Sequence, residues 1–579
     1  MQGDSRKGSI ASQFGSLLQG QIVRNQPLEV KTIPLVHRIL QDIKFAEIVN
    51  ELCGDDGDVP IEKVLEVMVH CRQQHAATVP LYEVQKWFSH TILPNVLGVT
   101  SSKINDMRLG RVLERVDPVA RVVWVSLIQQ VHRVYGLDLS LAIYDTSSVY
   151  VEGDYEHSQI LSFGYSRDGK PNCKQFNLGL DVTGEEGIPL LYSLTPGKTE
   201  DSSTVPENLR DLQRLYTNLG APDALCVLGD RAMLTAEYIQ LYEKAGVNFI
   251  GSMKTCALNT HVLRSVCDDE LLAHPLEYVA ERYQHLPADR REAERYYGLR
   301  TTITVPASKE VEGSTKLILP ALVVLGSGKQ RLDQQHRETL LTRTEARLGE
   351  IQSHLNKTKY RRRAYAADQA GKALARYPAI KGMLTIDLCG EDGNLSLTWS
   401  RAEPKIEEAA RLDGRYVVYF RDKNLSNENV FHRFKSRDRV EKRIDDLKGT
   451  GPVVVRPIFL HKDARIRGMV FVCMVALLVV SLQELLAKRH LKTRVTGETI
   501  QEVFETFGAS LQTFVDQSQL LFMPTPTEWQ KQLLDSADIH LEQVVPVTVA
   551  SQWTTPSGQN PPWPTAADSG ERPPRVPDS

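Results

Sequence analysis

Cysteine pairs, a decisive net charge and a long apolar run are all missing from this sequence. The eight cysteines (Cys53, Cys71, Cys173, Cys226, Cys256, Cys267, Cys389 and Cys473) are scattered, with no CxxC pair. That excludes a zinc-ribbon site and a disulfide framework, and it fits a reducing cytosol. The formal net charge is only −3 over 579 residues. The molecule as a whole is therefore not a polycation, and any grip on a polyanion has to be local. The opening MQGDSRKGSI lacks the apolar core of a secretory signal. The most apolar run, MVFVCMVALLVV at 469–480, falls short of the about 20 residues needed to span a bilayer and reads as a buried core helix. No internal repeat is present. What remains is the composition of a soluble globular protein, 41% hydrophobic and 24% charged, in a chain long enough for roughly two to four domains.

Residues 1–30 are polar and read as a flexible N-terminus. Residues 31–138 read as helical. Asp58 is placed to cap ahead of Pro60, and Ile61, Val64, Leu65, Met68 and Cys71 then recur at helical spacing. Leu109, Val112, Leu113 and Val116 mark a second apolar face, and 118–135 gives a third helix. At LSLAIYDTSSVYV (139–151) the pattern changes to a strand bounded by a turn at 152–154. Asp145 sits inside it. Burying a lone carboxylate is costly; a metal ion would compensate, and an edge position facing water would avoid the cost. QFNLGLDVTGEEGIPLLYSLTPG (175–197) reads as two strands joined by a turn at Gly184–Gly187. A helix follows over 204–219, then a strand at 224–228, a sharp turn, a helix from about 235 capped by Thr235, and a strand at 248–254. Asp230 lies just past a strand's C-terminal end, where open α/β sheets bind ligands; a plain turn aspartate is the bland alternative.

Residues 296–306 and 315–327 look like strands, and 330–356 like a long amphipathic helix. Lys357, Lys359, Arg361, Arg362 and Arg363 form the densest basic cluster of the chain, either solvated surface or a phosphate-tracking patch. After a strand at 415–422 comes FHRFKSRDRVEKRIDDLKG (431–449), which reads as one helix. At 3.6 residues per turn, Arg437, Glu441 and Lys448 fall within an arc of about 40°. One face therefore presents a carboxylate flanked by cations, suited to holding a metal beside a polyanion. A solvated face laced with i,i+4 pairs is the bland alternative.

The spacing Phe434-x2-Arg437-x3-Glu441-x6-Lys448 resembles the Y-(2)-R-(3)-E-(6)-K signature of DDE transposases from bacterial insertion sequences, most of all the insertion-sequence-four superfamily, with phenylalanine in place of tyrosine. GDRAM around Asp230 resembles the surroundings of that family's second aspartate. RPIF with RIRG (456–468) resembles its R-P-I-F…R-I-x-G stretch, with Met469 where members often carry histidine. The gap from Asp230 to Glu441 is far longer than that from Asp145 to Asp230, and the resembled branch has a β-rich insertion there.

The resemblance implies an α/β fold: a ribonuclease H-like mixed-sheet catalytic core interrupted by a β-rich insertion, with an N-terminal helical domain that binds DNA. The expected division is 1–30 flexible, 31–138 helical, 139–256 the first part of the core, 257–410 the insertion, 411–490 the second part of the core, 491–545 a C-terminal helical region and 546–579 a disordered tail. It implies Asp145, Asp230 and Glu441 as catalytic carboxylates holding two Mg²⁺ or Mn²⁺ ions, with Arg437, Lys448, Phe434, Arg231, Arg361, Arg362 and Arg363 toward DNA. The implied activity is metal-dependent cleavage at the ends of an insertion sequence and strand transfer into target DNA, by a cytoplasmic, nucleoid-associated protein that dimerises on double-stranded DNA and does not use a membrane. The alternatives are a ribonuclease H-like nuclease that does not join strands, a non-catalytic DNA-binding derivative, and a structural protein whose charges are mere surface.

Overall fold

The computed structural model describes residues 22–541 except 55–56, 75–78, 231–232, 253–256, 281–293, 450 and 516–518. The tail expected over 546–579 lies outside the described residues. In chain order the strands are β1 (Ile22–Glu29), β2 (Ala142–Tyr150), β3 (Gln175–Thr183), β4 (Pro189–Pro196), β5 (Cys226–Gly229), β6 (Asn248–Gly251), β7 (Pro275–Leu276), β8 (Tyr296–Val305), β9 (Leu317–Gly326), β10 (Leu384–Glu391), β11 (Asn394–Arg401), β12 (Arg415–Phe420), β13 (Gly508–Phe514) and β14 (Gln519–Phe522). The helices that matter below are α1 (Ile33–Asp42), α2 (Phe45–Cys53), α3 (Ile61–Arg72), α4 (Asp106–Val116), α5 (Ala120–Tyr135), α6 (Val205–Asn218), α7 (Ala236–Lys244), α8 (Ser327–His354), α9 (Arg363–Ala375), α10 (Asn427–Lys435), α11 (Asp438–Lys448), α12 (Asp463–Leu491) and α13 (Gly497–Phe504). The order β2-β3-β4-α6-β5-α7-β6 is the ribonuclease H-like order expected from the sequence. The chain forms two units, Met1–Leu225 with Arg437–Ser579, and Cys226–Ser436.

In the first unit, β2, β3 and β4 form an antiparallel meander in which Asp145 stands opposite Leu180, and Leu180 opposite Tyr192. All but one residue of β3 is buried, as a strand covered on both faces requires. On one face the Tyr144 hydroxyl meets Thr204 Oγ1 at 2.8 Å, and Asn208 on α6 donates to Asp181 at 2.6 Å. Because side chains alternate along a strand, Asp145 and Ser147 point to the other face. There α11 packs on β2 and β3.

The helices of 31–138 do not close a core of their own. They wrap α12, which packs on α1, α3, α4 and β4. Every residue from Gly468 to Gln483 is buried, so a helix apolar on all sides finds protein on all sides. It is long and apolar enough to cross a membrane, but here it is the core of this unit. Met469 is part of that packing. Gly468 is required by close approach: a Cβ there would collide with the Leu113 backbone. Ion pairs fix the start of α12 to α4 and its C-terminal flank. Arg465 and Lys462 hold Glu114 at 2.6 and 3.0 Å, and Arg467 grips Asp117 with two bonds of 2.8 and 2.7 Å.

Three sequence expectations give way here. Residues 22–29 are not a loose N-terminus but strand β1, paired antiparallel with β13. The region 491–545, expected to be helical, has its helix α13 end at Phe504, and 508–514 is strand β13, which also pairs with β14. The third concerns 431–449, which is two helices. The Ser436 amide donates to His432 and Arg433 carbonyls at 3.1 and 3.3 Å, and its hydroxyl to the Arg433 carbonyl at 2.7 Å. These bonds close the last turn of α10, and a new helix begins after Arg437.

In the second unit β5 and β6 pair in parallel, β12 lies antiparallel to both β6 and β9, and β8 joins β9 over its full length, with the short β7 beyond. The strands expected inside an insertion, β8 and β9, are thus part of this sheet. What is inserted between β9 and β12 is largely helical: α8, α9 and the single hairpin β10–β11. Two small cores hold it together, one of Leu348, Ile351, Ala366, Ala370 and Leu397, the other of Leu340, Leu341, Ile380, Met383 and Leu384.

Candidate active site

Asp145 is half-buried in the middle of β2, and its Oδ1 accepts the amide of Thr146 at 2.7 Å. Glu441 stands one turn into α11. Its Oε1 accepts from Arg437 Nε and Nη2 at 3.0 and 2.7 Å, and its side chain is 47% exposed. The packing of α11 on β2 brings the helix of Glu441 onto the strand of Asp145. At the other end of α11, Lys448 donates to Ser147 Oγ at 3.0 Å and pairs with Asp168 at 2.7 Å. Ser147 shares the face of β2 with Asp145, so Arg437, Glu441 and Lys448 form a charged line along a helix laid on that face.

What holds α11 there was not predicted. Arg443, two residues past Glu441, is buried. It donates to the Gly187 carbonyl in the β3–β4 turn at 2.8 Å, to Asp446 at 3.0 Å, and to Glu484 of α12 at 2.7 Å. Lys442 adds a bond to Glu484 at 3.0 Å, and the Gly497 amide another at 2.7 Å. Burial alone would push the Glu484 carboxyl up; Arg443, Lys442 and the amide outweigh it and hold it down, to about 2. The signal was available, because Arg443 lies inside the signature stretch. A buried arginine is indistinguishable in sequence from the exposed cations beside it, however.

Asp230 belongs to the second unit, immediately after β5, and its carbonyl accepts the Met233 amide at 2.9 Å in the turn that leads to α7. Thr235 caps that helix, accepting from Tyr238 at 3.3 Å. Arg231 lies outside the described residues. Phe434 is on α10, half-buried against Tyr416 with ring centroids 5.7 Å apart, so it packs within its own unit. Arg361, Arg362 and Arg363 are exposed on the inserted lobe, where Arg363 donates to the Gly390 carbonyl at 2.9 Å.

Carboxylate oxygens are the donors Mg²⁺ and Mn²⁺ prefer, and Asp145, Asp230 and Glu441 fit such an ion in donor type. Among the described residues no group of three or more His, Cys, Asp or Glu side chains is drawn together tightly enough to hold a metal. Glu441 is instead turned onto Arg437. That pair is half-exposed, and opening it costs only about 0–1 kcal/mol.

The model of the family described as "Transposase DDE domain" matches residues 137–451, more than half of the chain. The chain belongs to the DDE transposases. The matched stretch opens just before β2 and closes just after α11, so it contains all three acids. No curated protein matches the chain. Among solved structures, a piggyBac transposase synaptic complex with hairpin DNA is similar over 83% of this chain and 81% of that one, at 6% identity and a TM-score of 0.34. A Mos1 transposase paired-end complex with the left transposon end aligns over 30% of this chain and 59% of that one, at 13% identity and a TM-score of 0.14. A Mos1 mariner paired-end complex with Mn aligns over 30% and 54%, at 12% identity and the same score. Likeness this low does not fix the fold. The family rests on the 137–451 match.

Proposed function

We propose that this protein cuts the ends of an insertion sequence and joins them to target DNA, with Asp145, Asp230 and Glu441 as its catalytic carboxylates. The observation that carries the reading is the seating of the Glu441 helix on the strand of Asp145, inside the stretch that matches the transposase family. The Arg-x3-Glu-x6-Lys spacing favours the insertion-sequence-four branch. The three carboxylates would hold two Mg²⁺ or Mn²⁺ ions, which when bound activate a water and stabilise the attacking and leaving oxygens of a phosphodiester.

This chain's own residues supply the rest. Arg437 carries a fixed positive charge and a planar fork of donors next to Glu441. Were that carboxylate to hold a metal, the fork would stand beside it, with the geometry that suits a DNA phosphate. Lys448 has its ammonium committed to Ser147 and Asp168, so it fixes the end of α11 on β2 rather than offering a flexible phosphate contact. Arg443 and Glu484 keep the helix from rolling, and so set the direction of Glu441. No covalent protein intermediate is needed, since water and then a DNA 3′-hydroxyl act as nucleophiles. Two ends cut together call for a homodimer on double-stranded DNA, in the cytoplasm where the nucleoid lies.

The test is Mg²⁺-dependent cleavage of a duplex taken from the DNA flanking the gene, followed by joining to a plasmid. Asp145→Asn and Glu441→Gln are expected to bind the duplex and leave it uncut. Cleavage without joined products would assign a nuclease instead, and cleavage retained by both variants would sink the reading.

A further inference from the structure

The connection from β2 to β3 presents two aromatic side chains to solvent on a backbone that is not free to move. Tyr165 is 86% exposed and Phe163 57% exposed. The loop around them is nonetheless pinned. Ser162 and Gln175 exchange both backbone bonds, at 3.0 and 2.9 Å, and Ser162 Oγ accepts the Lys198 amide at 2.9 Å. Fully buried Gln175 donates to the Tyr165 carbonyl at 2.9 Å. Gly164, between the two aromatics, lies so close to Gly197 at the end of β4 that a Cβ there would fall on the Gly197 carbonyl. Only glycine permits this approach, and it splays Phe163 and Tyr165 away from the sheet.

The loop is tied to the candidate active site on both faces of β2. The Arg167 amide donates to Ser148 Oγ and its guanidinium to Thr146 Oγ1, each at 3.2 Å. Asp168 takes Lys448, which also holds Ser147. Asp145 is the immediate neighbour of Thr146. Lys170 of the same loop and Lys198, next to the Gly197 that Gly164 meets, are exposed, the Lys170 ammonium lying 6.0 Å from the Tyr150 ring centroid, and the loop's own Asp168 is neutralised by Lys448. Single exposed apolar residues are ordinary. An aromatic pair on a pinned backbone, with exposed lysines in the same segments and beside the strand of Asp145, is different: ordering the loop costs conformational entropy, and burying those rings elsewhere would have been favourable.

We propose that Phe163 and Tyr165 form a stacking platform for an unpaired base of the DNA next to the phosphodiester handled at Asp145, with Lys170 and Lys198 on its phosphates. Every base has a π-face, so such a platform is sequence-tolerant. The inference rests on the reading of the protein as a DNA-cutting enzyme, and deepens it by making the substrate locally single-stranded at this loop.

The probe is a duplex with a short single-stranded tail carrying 2-aminopurine, compared with the same duplex fully paired. The full-length parent is expected to prefer the tailed duplex and to quench the 2-aminopurine. Tyr165→Ala and Phe163→Ala are expected to lose the quench and to bind the tail roughly 5- to 150-fold more weakly, while Tyr165→Trp keeps both. Unfolding midpoints should be unchanged, because the rings are exposed. Equal quenching by Tyr165→Ala, or no preference of the parent for the tail, would overturn the platform. A variant that loses self-association in sedimentation while keeping the quench would overturn it too, and assign the rings to a protein contact. Failure of the parent to bind either duplex would instead bring down the DNA-cutting reading itself, which the Asp145→Asn cleavage comparison probes separately.

Discussion

Lys448 bonds Ser147, two residues along β2 from Asp145, at 3.0 Å, and Asp168 in the connection from β2 to β3 at 2.7 Å. The last cation of the signature is thus a tether between the glutamate helix and the aspartate strand. Its side chain is only 12% exposed and that of Asp168 20%, so removing it leaves a poorly solvated carboxylate behind. Lys448→Ala is expected to lower stability by about 1–3 kcal/mol and to reduce DNA cleavage together with it. Urea melts read the first effect and initial cleavage rates the second. A variant as stable as the parent would mean that the tether does not hold the helix.

The Arg443–Glu484 pair makes an acid-sensitive joint. Glu484 has its folded-state pKa lowered to about 2 from an ordinary 4.5. The unfolded chain therefore binds the proton first, and the stabilisation is complete above about pH 5 and lost as pH falls toward 2. Glu484→Gln leaves buried Arg443 with Asp446 but without the Glu484 charge. It should be destabilising at neutral pH, with the gap to the parent closing between about pH 5 and pH 2. Denaturant midpoints across that range check this; a gap independent of pH would show that Glu484 acts by shape alone.

Asp181 behaves in the opposite sense. It is wholly buried under α6, with Asn208 donating to one oxygen at 2.6 Å, and burial pushes its carboxyl well above the usual range. A raised folded pKa means that the native state holds the proton longer, so this group costs stability as pH rises past its unfolded value near 4. Asp181→Asn is expected to gain stability relative to the parent as pH is taken from 4 to 8, with little difference at the acid end. The same midpoints, read at the two pH values, decide it.

Gly468 lets the backbone of α12 lie close against that of α4. Any Cβ at that position meets the Leu113 carbonyl carbon and oxygen, which cannot step aside as a flexible side-chain end would. Gly468→Val should cost about 3 kcal/mol or more, since overpacking a tight helix crossing forces the backbone apart. Thermal unfolding of the variant would read this, and an unchanged midpoint would place the crossing wrongly.

The strands around the acids were legible because β-branched and aromatic runs between turn residues have few other homes. Asp145 stood out as a charge in the middle of such a run, and Asp230 by its place just past a strand's C-terminal end. Local pattern could not reveal the pairings. The tether from Lys448 to Asp168 joins residues far apart in the chain, and nothing in SRDGK announces it. The break at Ser436 was hidden because the arginines, lysines and glutamates on either side are all good helix formers. A pair of hydrogen bonds to Arg433, not a breaking residue, ends α10. Strand β1 was hidden by polarity: it lies at the edge of its sheet beside β13, so much of IVRNQPLE faces water. The inserted lobe was misjudged in content because β8 and β9, read as its strands, have their partners in the sheet.

The burial of α12 has a consequence for how the protein comes into being. The early helices α1, α3 and α4 find their common apolar partner only in residues 463–491, several hundred positions later in the chain. During synthesis they leave the ribosome with their inner faces uncovered, and sequestration waits for the far end. Such late closure is slow and exposes the nascent chain to chaperones and proteases meanwhile. A product cut short before α12 would carry the β2 acid yet have no completed core around which to hold it, so cellular quality control would remove fragments and spare full-length protein.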